Sequence, residues 1–278
     1  MTFIDSVKTY KIQFTVAIIC LAGLYYPVIP SMVGQWYDDP NYSHGFIVPL
    51  IAGYIAWQRL DELKRAEVSP SINGLFIMIG GLLVLIAAFV GTEYFTMRVS
   101  LVIVLAGIIL FFFGKQVFSI LTLPIYYLLF MVPLPYIVYD AVAFPLKLFV
   151  TKVSVLFMKT IGIVVIREGN IIMFSSTVLE VADACSGIRS LVSLIALSVA
   201  FAYFSQSSNL KRSLLVISAI PIAIFANAVR VIVTGILAQH WGAKAAEGFF
   251  HEFAGMAVFG VAIAMLVATG VLLRRVRK

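Results

Sequence analysis

Tyr136-Ile-Val-Tyr-Asp-Ala-Val-Ala-Phe-Pro-Leu-Lys-Leu-Phe-Val-Thr-Lys-Val-Ser-Val-Leu-Phe-Met-Lys-Thr160 decides how the rest of this chain is threaded. The stretch is apolar enough to pass for a membrane-crossing helix. Yet Asp140, Lys147, Thr151, Lys152, Ser154 and Lys159 fall within one broad sector when wound at 100° per residue. Charges spread along a whole span are expensive in hydrocarbon, whereas a polar stripe suits a helix lying in the interface. Pro145 is expected to bend it. We therefore read 136–160 as interfacial. The competing reading, a further crossing, would send everything after it to the opposite side of the bilayer.

Composition leaves little choice of class. Hydrophobic residues make up 62% of the 278 and charged residues 12%, against about 25% charged in a soluble domain. Several apolar runs approach or exceed the roughly 20 residues that a helix needs to cross a bilayer. The expectation is an all-α polytopic membrane protein, one integral domain over 1–278, with the lipid bilayer as its first partner. The net charge of +7 is no nucleic-acid footprint, because the basic residues sit in short clusters between apolar segments, which is how orientation is encoded. No nucleic-acid partner is expected. The first apolar run is long and lacks a small-residue cleavage site, so no cleavable signal peptide is expected. Two cysteines, Cys20 and Cys185, exclude a disulfide framework.

About eight spans are predicted, near 13–33, 45–58, 74–91, 99–113, up to 134, 187–204, 213–239 and 253–273. Lys8 and Lys11, Arg59, Lys64 and Arg65, Lys115, Lys211 and Arg212, and Arg274-Arg-Val-Arg-Lys278 then share one face, provided that 136–160 does not cross. Both termini are expected in the cytoplasm. The acidic loop 35–44, the region 135–184 and the loop 240–252 fall outside. Within 135–184, Ile163-Val-Val-Ile166 and Ile171-Ile-Met-Phe174 read as short strands around a Gly-containing turn, with Val178-Leu-Glu-Val181 as a candidate third. The region is expected to form a small outer-face cap, an interfacial helix plus a β-hairpin; a plain long loop is the alternative.

Three reactive side chains converge in depth under this topology. Arg230 lies about 25 Å along a helix entered at Ser213, at roughly 1.5 Å per residue, which is just under the outer surface of a core about 30 Å thick. Cys185 precedes the sixth span and His251 the eighth, both at the outer boundary. A cysteine is a good nucleophile only as thiolate, which a nearby cation or a helix N-terminus favours. Arg230 is suited to stabilise that thiolate or a later oxyanion. His251 is suited to take the thiol proton and return it to a leaving amine. Together they describe acyl transfer through a thioester.

Taken singly, each has an ordinary reading: core packing for the cysteine, snorkelling for the arginine, solvation for the histidine. Cys20, about a third of the way into the first span, is read as packing. His44, His240 and His251 all fall outside but lack tight ligand spacing, so no metal is expected. Glu180, Asp183, Glu247 and Glu252 are solvated or orient His251. No Walker loop, dinucleotide fingerprint or Gly-x-Ser-x-Gly elbow is present. Two other classes compete with an enzyme. One is a non-catalytic transporter or assembly subunit of an exopolysaccharide or envelope system, whose spans should carry ionisable residues tracing a route. The other is a His-ligated redox membrane protein.

Ala184-Cys-Ser-Gly-Ile-Arg-Ser-Leu191, then Asn227-Ala-Val-Arg230, then His251-Glu-Phe-Ala-Gly255, resembles the three-part signature of the exosortase/archaeosortase family. Tyr42-Ser-His-Gly45 and Gly169-Asn170 resemble it too. The resemblance implies a multi-pass cysteine endopeptidase or transpeptidase with Cys185, Arg230 and His251 as its catalytic set. It places His44, Ser186, Gly187, Arg189 and Asn227 in supporting or substrate-binding roles and calls for no cofactor. Histidine in the third position points to the bacterial branch, hence to an inner membrane with the site on its outer face. The implied partners are exported proteins ending in a Pro-Glu-Pro motif, a transmembrane helix and a basic tail, with exopolysaccharide machinery as a further associate.

Overall fold

A computed structural model describes residues 2–175, 177–181, 187–242 and 249–275, the side chains of 249–252 excepted. The chain divides into two compact units, Met1–Pro135 and Tyr136–Lys278. The polytopic all-α class expected from composition is what is found, with one small sheet.

The first unit runs through α1 (Phe3–Thr9), α2 (Lys11–Leu24), α3 (Val28–Asp38), a 3-10 turn at Pro40–Phe46, α4 (Ile47–Gln58), α5 (Leu60–Arg65), α6 (Ile72–Val90) and α7 (Tyr94–Tyr127). α7 is continued by a 3-10 turn, Leu128–Met131. It is not a single rod. Gly114 has a φ of 83°, and Val102, Ala106 and Ile125 pack in one buried cluster. A straight helix would hold Ala106 and Ile125 about 28 Å apart, at 1.5 Å per residue. The chain therefore doubles back at Gly114, where the left-handed φ favours glycine and where a Cβ would collide with the Ser69 carbonyl. The two arms, 94–113 and 115–131, match the fourth and fifth spans expected from the sequence.

Among the described residues, six helices are long and apolar enough to cross a membrane, or seven if α1 and α2, bent by 81°, are one span. That tally takes Tyr94–Met131 as one segment and leaves out α4, which has only 12 residues. α4 nevertheless runs beside the second arm of α7. At its start, Trp36 Nε1 donates to the Met131 carbonyl (2.8 Å) and Tyr42 Oη to that of Leu134 (3.1 Å). Just past its end, Arg59 donates to the Ile120 carbonyl (3.0 Å).

These contacts sort charge within the unit. Phe3 and Phe14 lie 4.8 Å from Phe113, and Leu63, Ala66 and Val117 complete that end. Lys8, Lys11, Arg59, Lys64, Arg65 and Lys115 lie on the elements that meet there, together with Asp5, Asp61, Glu62 and Glu67. Asp38, Asp39 and Glu93 mark the other end, with the α6–α7 turn. Glu93 caps α7, accepting from the amides of Phe95 (3.2 Å) and Thr96 (2.6 Å). Burial alone would raise its pKa, but these bonds and the Arg98 charge outweigh it and hold the carboxyl below its ordinary range. A depressed folded-state pKa stabilises the fold above the unfolded value, near pH 4.3, and that stability is lost as pH falls through the folded value. Glu93→Ala is expected to cost about 1 kcal/mol at neutral pH. The deficit should shrink on acidification in detergent-solubilised melts at pH 7 and pH 3; a deficit unchanged at pH 3 would remove the charge from the account.

The second unit comprises α8 (Tyr136–Thr160), β1 (Val165–Glu168), β2 (Ile171–Phe174), β3 (Val178–Glu180), α9 (Ile188–Ser205), α10 (Asn209–Trp241) and α11 (Phe249–Arg275). α8 runs unbroken through Pro145 and is long and apolar enough to count as a crossing helix. Its polar residues do not form the single outward stripe that the sequence suggests. Asp140, Lys152 and Lys159 are exposed, but Lys147, Thr151 and Ser154 lie on the buried face with Tyr139, Ala143 and Met158. Backbone carbonyls permit this: Thr151 donates to Lys147 O (2.7 Å) and Ser154 to Ala228 O (3.3 Å), so burial leaves neither hydroxyl unsatisfied.

α8 shares one core with the sheet and α10, built on Val150, Met158, Val165, Ile172, Val181 and Val231. The three strands expected from the sequence are present as an antiparallel sheet in the order β1-β2-β3. β1 starts two residues later than predicted because the turn holds only Gly169 and Asn170: Glu168 pairs with Ile171. Gly169 has a φ of 60°, as the first central residue of a II′ turn requires.

α9, α10 and α11 pack around Leu194, Leu215, Ala219, Ala223, Ala262 and Leu266. At one end Gln206 donates to the Gly270 carbonyl (2.8 Å) and Arg212 to that of Gln206 (2.9 Å). Lys211, Arg212, Arg274 and Arg275 collect there. Toward the opposite end of the bundle lie Gly187, Asn227, Arg230 and Gly255.

Candidate functional site

α10 supplies the platform. Asn227 and Arg230 stand three residues apart and so share a face; Asn227 is buried and Arg230 half-buried. Gly187, the N-cap of α9, has a φ of 83°, and a Cβ there would come within 2.7 Å of the Asn227 side chain. Glycine is required twice over, by backbone conformation and by close approach. From the other side α11 brings Gly255 so close that a Cβ on it would sit 3.3 Å from the Arg230 guanidinium carbon. Three distant stretches of sequence thus meet on one face of α10.

The expected site residues fall as follows. Gly187, Asn227 and Arg230 are brought together. Cys185 and Ser186 lie outside the described residues, two and one positions ahead of Gly187 in the chain. His251 lies on α11 one turn before Gly255, on the same side of that helix; its side chain is outside the described set, as are Asp183, Glu247 and the side chain of Glu252. Arg189 is exposed in the first turn of α9. His44 is half-buried in the 3-10 turn of the first unit. His240 stands beside Trp241 near the end of α10, about 15 Å along the helix from Arg230 at 1.5 Å per residue. Cys20, expected to pack inside, is exposed on α2, which has no buried residue.

One contributor went unassigned a role in the sequence. Asn170, in the hairpin turn, donates from Nδ2 to the Val181 carbonyl and to Glu180 Oε1, both at 3.2 Å. Its own carbonyl accepts from the Val181 amide (2.9 Å). The turn therefore grips the chain at the last described residue before the Ala184-Cys motif. The sequence marked the Gly169-Asn170 pair as a turn and as part of the family resemblance, without a role for the Asn170 side chain. Asn170→Ala is expected to destabilise the protein by about 1–2 kcal/mol in detergent-solubilised melts, from loss of hydrogen bonds worth about 1 kcal/mol each. Asn170→Asp, which cannot donate to Val181, should do no better, and full stability of the Asp variant would refute the clamp.

A family model described as transmembrane exosortase matches residues 36–268 of the chain. No curated protein and no solved structure matches it.

Proposed function

Because the chain belongs to the transmembrane exosortase family, we propose that it is a membrane-embedded cysteine endopeptidase or transpeptidase acting on C-terminal sorting tails of exported proteins. The observation that carries this reading is the meeting of Gly187, Asn227, Arg230 and Gly255 on one face of α10. Cys185 is tied to Gly187 through a single residue, and a two-residue step spans at most about 7 Å. His251 precedes Gly255 by one turn, about 6 Å of rise. All three reactive groups are thus tied to one small region.

In the proposed course His251 takes the proton of the Cys185 thiol. The sulfur then bonds to the carbonyl carbon of the scissile peptide, whose oxygen becomes an oxyanion facing the Arg230 guanidinium. Collapse breaks the C–N bond, and the leaving amine takes the proton from His251. The acyl thioester left on Cys185 is then resolved by water or by an acceptor amine.

Lys/Arg sorting supports the expected topology, with both termini cytoplasmic and the site at the outer face of a bacterial inner membrane. The first unit starts at its basic end and finishes at its acidic end, whereas α9 starts at Gly187 and finishes toward Lys211 and Arg212.

The test is chemical trapping. Purified protein mixed with a peptide bearing a Pro-Glu-Pro motif, an apolar helix and a basic tail, then quenched in acid, should gain the mass of the substrate's N-terminal part. Hydroxylamine should release it. Cleavage without such an adduct, or an adduct that resists hydroxylamine, would exclude the thioester route.

A further inference from the structure

The first unit holds seven Lys and Arg residues, and the basic end accounts for all but Arg98. This arginine lies in the second turn of α7, at the acidic end, and is only 5% exposed. Its Nη1 donates to Gln35 Oε1 (2.7 Å) and its Nη2 to Ser31 Oγ (3.3 Å). The Tyr94 ring lies 6.0 Å from the guanidinium carbon. Nε is buried and makes no hydrogen bond. Among the described residues no carboxylate forms an ion pair with it: neighbouring Glu93 gives its oxygens to the Phe95 and Thr96 amides. A buried cation whose hydrogen bonds, among the described residues, go only to neutral groups is expensive, and within a membrane protein such residues mark binding sites.

Beside it opens a cavity of about 410 Å³. Ser31, Thr92 and Tyr94 form its polar side, and Val28, Phe89 and Met97 its apolar side. Two of the residues against Arg98, Ser31 and Tyr94, line this cavity, so the guanidinium stands behind its polar wall. A ligand that fits is amphiphilic, with an anionic head at Ser31 and a hydrocarbon part along Phe89 and Met97. The cavity sits at the α6–α7 turn, where a bilayer changes from hydrocarbon to headgroup. We infer that it binds a phospholipid, whose phosphate is neutralised by Arg98 and hydrogen-bonded by Ser31. The site belongs to the first unit and does not depend on the catalytic reading.

Native mass spectrometry tests this on the full chain in detergent. The probes are phosphatidylglycerol, diacylglycerol with the same acyl chains, and soluble glycerol phosphate. The wild-type protein should retain one phosphatidylglycerol and no diacylglycerol. Arg98→Gln should lower that retention at least tenfold. Ser31→Trp, which changes an exposed position and fills the cavity with the cation left in place, should do the same and keeps the test valid if Arg98→Gln misfolds. Equal retention by Ser31→Trp and wild type, or equal retention of diacylglycerol, would overturn the inference. Displacement of the lipid by an equal concentration of glycerol phosphate would assign the cavity to soluble phosphate esters instead.

Discussion

Cells producing the Cys185→Ala variant together with a tail-bearing substrate are expected to accumulate uncleaved precursor, with cleavage reduced about 10⁴-fold or more. Removing a covalent nucleophile leaves only binding and oxyanion stabilisation, and those alone accelerate little. Cys185→Ser should be nearly as inactive. An alcohol is far less acidic than a thiol, and a site that favours a thiolate through a nearby cation and a helix N-terminus does not bring a serine hydroxyl to the same state. Immunoblotting of precursor and product reads all three proteins side by side. Equal processing would end the catalytic assignment of Cys185, whatever the family.

Arg230→Lys is the second large effect, an expected loss of about 10² to 10³ in kcat/KM, the range for deleting one oxyanion donor. Charge is conserved, so the loss isolates the planar fork, which an ammonium cannot reproduce. The packing sharpens the prediction. A Cβ at Gly255 would sit 3.3 Å from the guanidinium carbon, and a lysine lacks the planar group that fills this close approach. Alkylation of Cys185 over a range of pH separates two roles for the arginine. A thiol pKa raised in Arg230→Lys would show that the guanidinium supports the thiolate; an unchanged profile with slowed cleavage would place its action on the oxyanion. Near-normal turnover would remove it from the mechanism.

Much of the architecture was legible because membrane chains write it in a coarse code. Lys115 marked the turn between two spans, and Gly114 beside it makes that turn. Val165–Glu168 and Ile171–Phe174 were found by their β-branched runs, and only the turn length shifted the register of the first. What escaped has a common cause: hydropathy does not distinguish a lipid-facing surface from a protein interior. Cys20 was therefore placed inside when it faces out. Lys147, Thr151 and Ser154 were grouped with Asp140 and Lys152, although local carbonyl partners let them turn inward. Arg98 fell in the gap between the spans expected near 74–91 and 99–113 and is instead buried in α7. At the site, the motif order carried the reading, but the Asn170 grip on Val181 joins the hairpin turn to the residue after β3, and only the sheet's register reveals it.

The reversal at Gly114 also bears on how the protein is made. With both backbone angles of Gly114 relaxed to helical values, Tyr94–Met131 becomes a rod of about 57 Å, at 1.5 Å per residue, nearly twice the roughly 30 Å of hydrocarbon. No bilayer accommodates such a rod as two passes, so one pass disappears. Under the proposed topology every later segment would then face the opposite side of the membrane, and the proposed site on α10 would lie in the wrong compartment. The backbone conformation of one glycine thus acts, under that topology, as the address label for the proposed site.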